Sequence, residues 1–404
     1  MIPFSPPHID QKIIDEVIDT LKSGWITTGP KTKRFEKELA AYCDVPSVLC
    51  LNSATAGLEL MLRWFGIGPG DEVILPAYTY SATANVILHC GATPVFVDIG
   101  SDFNINPEKV REAISSSTKA IMPVDFAGLP CDYDSLNSII RDKEINALFR
   151  PAGENQVKLG RIFLLSDAAH SLGGRYQGRL TGSLADATVF SFHAVKNLTT
   201  AEGGAVALNF PSPFDNQAIY QSLCIKSLHG QNKDALAKMQ RGNWRYDIVE
   251  PGYKMNMTDI SASIGLVELS RYESETLPAR KRICNTYDFA FAAKSWAILP
   301  DAHDEKRESS YHLYPLRIRG VSETERDEII RLISEQDVTV NVHFIPVPMM
   351  SHYKGLGYDI HRFPETYSNY SSEISLPVFF DLTSEQQTVV IRSVIGAVEE
   401  VLNK

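Results

Sequence analysis

The sequence predicts an α/β fold: a mostly parallel seven-stranded sheet flanked by helices, followed by a smaller C-terminal α+β domain. Three observations predict it. Seven short apolar runs follow one another: VLCL (48–51), EVILP (72–76), PVFVD (94–98), AIMPV (120–124), IFLLS (162–166), ATVFSF (187–192) and GAVAL (204–208). Stretches with helical apolar spacing alternate with them. Runs this continuous suit strands covered on both faces, and the alternation suits parallel pairing. From Asp259 the pattern changes to a long helical segment, then a strand in YHLYPLRI (311–318), then further helices.

Taken in order, residues 1–14 read as an N-terminal arm, 15–250 as a large domain and 251–404 as a small one. Ile9, Ile13, Ile14, Val17, Ile18 and Leu21 repeat at helical spacing, with Asp10 near the start and Gly24 past the end. A second amphipathic stretch places Phe35, Leu39 and Tyr42 on one face. Ser53, Ala54 and Thr55 follow the first apolar run and open a helix rich in Leu58, Leu60, Met61 and Leu62. Ala77 to Val97 lacks Asp, Glu, Lys and Arg for 21 residues, but Ser81, Thr83, Asn85, His89, Gly91 and Pro94 interrupt it. It reads as a buried helix and a strand rather than a membrane span. Asp142 to Gly160 is polar, contains Pro151 and Gly153, and reads as a surface insertion.

The bulk numbers bound the function. A chain of 404 residues, 44% hydrophobic and 22% charged, is an ordinary globular composition. A net charge of −10 argues against nucleic acid as a partner, because phosphate backbones recruit basic surfaces. An anionic substrate must therefore meet local positive groups. The six cysteines (Cys43, Cys50, Cys90, Cys131, Cys224, Cys284) show no CxxC pair and no metal spacing, so they read as free thiols of a reducing compartment. The segment MIPFSPPHIDQK has neither a basic nor an apolar leader region, and a cytoplasmic protein is expected.

The chemistry concentrates in Asp167 and Lys196, 29 residues apart, in FLLSDAAHSLGG and ATVFSFHAVKNLTTAEGG. A lysine forms Schiff bases with aldehydes, and a carboxylate holds a ring nitrogen protonated. Pyridoxal phosphate (PLP) needs both, because a protonated pyridine is the better electron sink. Alone, such a pair is a strand-edge Asp and a surface Lys with no mutual business; the surrounding residues decide otherwise.

Those surroundings resemble the DegT/DnrJ family of nucleotide-sugar aminotransferases, which are fold-type I PLP enzymes. The resemblance runs through SGWITTGPKTKRFEKELAAYC, NSATAGLEL, GPGDEVILPAYTYSATANVILHCGATPVFVDI, DAAHSLGGRYQGRLTGSLADATVFSFHAVKNLTTAEGGAV, GYKMNMTDISASIG and YHLYPLRI, in family order. It implies Lys196 as the Schiff-base lysine and Asp167 as the partner of the pyridine nitrogen. Ser53, Ala54 and Thr55 look like the phosphate cradle at a helix N-terminus, although plain capping explains them as well. Ser191 looks like a further phosphate contact. Tyr80 matches the aromatic position that stacks on the cofactor ring, with Tyr78 as competitor. His170 stands where the family carries Gln or His; it either donates to the cofactor's phenolic oxygen or is structural. Lys254, where many relatives have Asn, or Asn256 in its place, is expected to reach the phosphate of a neighbouring subunit, which implies a homodimer with shared sites. His312, Tyr314 and His343 are candidate sugar-nucleotide contacts or packing residues.

The resemblance further implies an amino group moved from L-glutamate to a keto sugar on a nucleotide diphosphate, for polysaccharide or glycoconjugate biosynthesis. The pattern DAAH with GYK.N points to carbon 4 of a UDP-4-keto-6-deoxy-N-acetylhexosamine; carbon 3 stays an alternative. Related sugar 3-dehydratases carry histidine in place of Lys196, so this chain sits on the aminotransferase side. A PLP-binding regulator without turnover is the alternative from another class, disfavoured because both Asp167 and Lys196 are retained and no basic helix-turn-helix is appended.

Overall fold

Every one of the seven apolar runs forms a strand. The computed structural model describes residues 1–233 and 245–403. The strands are β1 (Ser47–Leu51), β2 (Glu72–Pro76), β3 (Thr93–Val97), β4 (Thr118–Ile121), β5 (Phe163–Asp167), β6 (Ala187–Ser191) and β7 (Gly204–Leu208). They form one sheet in the order β1-β7-β6-β5-β4-β2-β3. Neighbours among β2 to β6 run parallel, while β7 runs antiparallel to both β6 and β1.

Alternation explains why the runs are apolar throughout. Val73, Leu75, Phe163, Leu165 and Val189 face one core, shared with Leu58, Met61 and Leu62 of the helix Ala54–Trp64. Ile74, Ile121 and Leu164 face a second core, and Val48, Phe190 and Ala205 a third, where Phe35 and Leu39 of the helix Pro30–Cys43 pack. A strand buried on both faces can carry no polar side without leaving it unpaired. The charge-free stretch 77–97 resolves into the helix Ser81–His89 and β3. Among the described residues, no helix is long and apolar enough to cross a membrane.

The helix Gln11–Ser23 begins inside the expected arm, capped by Asp10, whose side chain accepts from the Ile13 amide. It packs against the helix Asp259–Arg271, burying Ile13 and Thr20, while Ile14, Ile18 and Leu21 stay exposed. Residues 142–160 are not an open loop: the short helices Lys143–Leu148 and Glu154–Leu159 occupy them, and buried Gln156 donates to the carbonyls of Phe65 and Gly66 at 3.2 Å.

A second, antiparallel sheet joins β8 (Ala297–Ile298), β9 (Tyr314–Ile318) and β10 (Glu373–Leu376) in that order. The helices Leu277–Phe291, Glu323–Ser334 and Ser384–Leu402 cover it, building a separate core around Tyr287, Leu316, Ile329, Ile374 and Val394. That core takes its residues from Ile283 onward, plus Ile2. Ala262 and Leu266 of the preceding helix pack instead with Phe35 and Leu39.

Candidate active site

The sheet topology itself collects the candidate residues. Because β7 is inserted antiparallel, β1, β2, β5 and β6 all end at one sheet edge, where β7 begins: Leu51 and Ser191 both pair with Gly204. Crevices at the carboxyl ends of parallel strands are where open α/β sheets bind ligands. Here β1 leads into Ser53, β2 into Thr79 and Tyr80, β5 ends on Asp167, and the turn after β6 carries Lys196. A cavity of about 500 Å³ opens at this edge, lined by Ser53, Ala54, Thr55, Tyr80, Asp167, His170, Ser191, Lys196, His312 and His343.

Asp167 is buried, and its carboxylate accepts the Thr83 hydroxyl at 2.8 Å and the Ala169 amide at 3.3 Å. Burial pushes its pKa up, while those two donors and the Lys196 charge oppose the rise. Thr79 Oγ1 lies 2.8 Å from Thr83 Oγ1, so the two threonines, one helical turn apart, orient the carboxylate in series. The Lys196 amine makes no hydrogen bond among the described residues. Burial lowers its pKa to about 8, with the Asp167 charge holding it up in part. An amine poised there exchanges protons near neutrality and is a nucleophile when neutral.

Ser53 caps the helix Ala54–Trp64, accepting from the Ala56 amide at 3.1 Å. Capping leaves room for an anion: Ser53 caps, while the first-turn N–H groups of Ala54 and Thr55 have no i−4 carbonyl to bond. A Cβ at Gly204 would lie 2.4 Å from the Ala54 nitrogen, so only glycine lets the strand approach the helix start this closely. Of the two tyrosines, Tyr80 is 61% exposed and lines the cavity, its ring 5.8 Å from that of Phe344. Tyr78 is fully buried behind the wall, against Phe103 and Phe126, and donates its hydroxyl to the His343 carbonyl.

His170 is buried with Nδ1 unpartnered, and burial, followed by the charges of Lys196 and His343, holds its pKa well below the usual imidazole range. His343 Nδ1 lies 2.9 Å from Ser375 Oγ, and burial pushes the pKa of this ring down to about 3. Tyr314 does not join the site. It lies in the core of the second sheet, its hydroxyl donating to Asp288 at 2.7 Å, because β9 turns it away from the edge that His312 and Leu313 reach. Lys254 and Asn256 also stay outside this chain's own cavity; Lys254 is exposed and donates to Asn256 Oδ1 at 2.5 Å, and Asn256 donates to Thr28 Oγ1 at 2.6 Å.

Sequence reasoning missed several wall residues. Thr83 was detectable in principle, four residues after Thr79 on a helix whose start faces the β5 carboxylate. Phe4 and Ser5 carried no signal. They arrive because Ile2 pairs with Val338, with its amide donating to Asp337 at 2.6 Å, and Ser5 donates to the Val195 carbonyl at 3.2 Å. Phe4 then stacks 5.3 Å from His343.

The residues present fit a PLP-type group. A carboxylate and an unpaired amine face one cavity, helix-start N–H groups suit a phosphate, and an orphaned buried imidazole nitrogen awaits a partner. The model of the DegT/DnrJ/EryC1/StrS aminotransferase family matches residues 7–152 and 156–395, passing over three residues of the helical insertion. The spore coat polysaccharide biosynthesis protein SpsC of Bacillus subtilis is 38% identical over 398 residues, covering 97% of this chain and 96% of that protein. The putative sugar aminotransferase Spr1654 from Streptococcus pneumoniae, solved in its PMP form, superposes with a TM-score of 0.95 at 48% identity, over 99% of this chain and 100% of that one. PseC of Helicobacter pylori, an aminotransferase involved in pseudoaminic acid biosynthesis, gives a TM-score of 0.86 at 28% identity over 99% of both chains.

Proposed function

The chain belongs to the DegT/DnrJ/EryC1/StrS aminotransferase family and is a PLP-dependent sugar aminotransferase, and from that premise we propose its substrates and the role of each residue. L-Glutamate donates the amine. The acceptor is a keto sugar on a nucleotide diphosphate, aminated at carbon 4 of a UDP-4-keto-6-deoxy-N-acetylhexosamine, in the cytoplasm. The motifs DAAH and GYK.N support the sugar, as does the likeness to an aminotransferase of pseudoaminic acid biosynthesis. None of the six cysteines is in a disulfide, which suits a reducing compartment.

One observation carries the reading: an unpaired amine at Lys196 and a buried carboxylate at Asp167 line the same cavity. When bound, PLP supplies an electron sink for the pair left at the donor's α carbon. Lys196 attaches the cofactor and, once displaced, its Nζ lifts the α proton and redelivers it. Its pKa of about 8 keeps a usable neutral fraction for that transfer. Asp167 holds the ring-nitrogen proton, and Thr83 keeps the carboxylate aimed. Ser53, Ala54, Thr55 and Ser191 bind phosphate, Tyr80 packs on the ring, and His170 meets the phenolic oxygen. His343 faces the sugar. The position of exposed Lys254 and half-buried Asn256, outside their own cavity, suits a role at the phosphate of a second copy in a homodimer.

The test incubates the protein with L-glutamate and a panel of keto-sugar nucleotides and identifies the aminated product by NMR. Bleaching of the yellow protein by L-glutamate and a product aminated at carbon 4 are expected. An unchanged spectrum, or amination at carbon 3, overturns the donor or the regiochemistry respectively.

A further inference from the structure

We propose that Asn197 is a positioning residue that holds His312 in one tautomer, so that this ring accepts a hydrogen bond from a hydroxyl of the acceptor sugar. The proposal rests on the sugar-aminotransferase reading above.

Asn197 directly follows Lys196 and is 8% exposed. Its Nδ2 donates to the Ser310 carbonyl at 2.8 Å, and its Oδ1 lies 2.8 Å from His312 Nδ1. A carbonyl only accepts, so the amide nitrogen must face Ser310 and the amide oxygen must face the imidazole. The hydrogen shared with His312 therefore sits on Nδ1, which leaves the lone pair on Nε2. No hydrogen bond among the described residues takes that nitrogen, and the ring lines the cavity.

The backbone is held as firmly. Buried Arg280 donates to the Tyr311 carbonyl at 2.9 Å and to the His312 carbonyl at 2.7 Å, while the His312 amide donates to the Ala127 carbonyl at 3.1 Å. These three bonds fix the backbone, and the Asn197 bond fixes the ring upon it.

The groups around it decide what it takes. The His170 ring lies 4.3 Å away, centroid to centroid. Burial first, then His170, Lys196, Arg280 and His343, disfavour a proton on His312. His170 and His343 are neutral near pH 7, so the charges beside the ring are those of Lys196 and Arg280; these two cations oppose the donor's ammonium, and the donor's carboxylates need N–H groups rather than a lone pair. A sugar hydroxyl, neutral and a donor, is what remains.

The experiment labels histidine with ¹⁵N in the cofactor-free protein, assigns His312 with a His312→Gln control, and reads the tautomer by NMR between pH 6 and 9. Protonated Nδ1 and bare Nε2 are expected throughout. Asn197→Leu removes the acceptor and frees the tautomer. It is expected to slow the sugar half-reaction about tenfold, the worth of one hydrogen bond, and the L-glutamate half-reaction less than about twofold. Asn197→Asp keeps the acceptor but adds a charge that raises the His312 pKa. Its sugar half-reaction returns toward wild type at high pH and falls away as the ring gains its second proton, a profile that a packing role does not produce. A wild-type proton on Nε2, equal slowing of both half-reactions in Asn197→Leu, or a flat Asn197→Asp profile overturns the proposal. Should the leucine variant not fold, the wild-type tautomer and the aspartate profile decide. A wild-type protein with no glutamate half-reaction but the expected tautomer would instead refute the functional reading.

Discussion

Replacing Lys196 with Met in the cofactor-free protein removes a charge that folding holds away from bulk water. The folded amine has its pKa lowered to about 8 from an ordinary 10.5, with burial the main cause and Asp167 opposing it. At about 1.4 kcal/mol per pH unit, that displacement costs the folded state about 3 kcal/mol when the amine is charged. The residue is only part-buried and cavity water reaches it, so about 1–3 kcal/mol is the working range. Between pH 8 and 10.5 the unfolded chain binds more protons than the folded one, so wild-type stability rises with pH across that window. The cost is complete below the folded pKa and gone above the unfolded one. Lys196→Met has no such slope. Its stability advantage over wild type is therefore expected to be about 1–3 kcal/mol larger at pH 7 than at pH 10.5, since other effects of the methionine cancel in the difference. Urea denaturation of both proteins at the two pH values measures it. An advantage that does not change with pH refutes the claim that this amine is held near neutrality by its surroundings.

Other expectations follow from the same geometry. Asp167→Asn removes the charge that keeps the ring nitrogen protonated; turnover with L-glutamate is expected to fall about a hundredfold or more, while borohydride still traps the cofactor on Lys196, as peptide mass mapping reads. Thr83→Val strips one hydroxyl from the buried Asp167 carboxylate, costing about 1–3 kcal/mol and weakening PLP binding roughly tenfold or more in a fluorescence titration. Gly204→Ala drives a methyl to 2.4 Å from the Ala54 nitrogen; a loss of about 1–3 kcal/mol in urea and a raised PLP dissociation constant are expected. Tyr314→Phe deletes the bond to Asp288 in a core outside the cavity, so stability is expected to drop about 1 kcal/mol while the KM for the sugar stays within twofold.

The central sheet was legible because it is buried on both faces, and burial writes itself into composition: each apolar run became a strand of β1 to β7. Asp167 and Lys196 stood out through the motifs around them, since alone the pair carries no signal; the structure places both on one cavity. The resemblance favoured Tyr80 over Tyr78, but periodicity could not separate them: β2 ends at Pro76, before both, and only the path of the chain after it decides which ring points in. Tyr314 misled because it stands two residues from His312, while the strand begins between them and alternation no longer links the pair. The first helix carries a wider apolar stripe than its contact with the helix Asp259–Arg271 covers, so its periodicity revealed a helix but not its buried face. Asn197 was silent, being one amide among many until the second domain brings His312 and Ser310 against it.

The N-terminal strap has a consequence for synthesis. Phe4 and Ser5 are held at the cavity by Ile2 bridging to Val338, 336 positions later in the chain. Translation must add all of the intervening residues before that bridge has its partner, and His343, on which Phe4 stacks, emerges later still. A nascent large domain can thus form its sheet early while its catalytic chamber stays unwalled on one side, so cofactor captured co-translationally meets a half-built vessel.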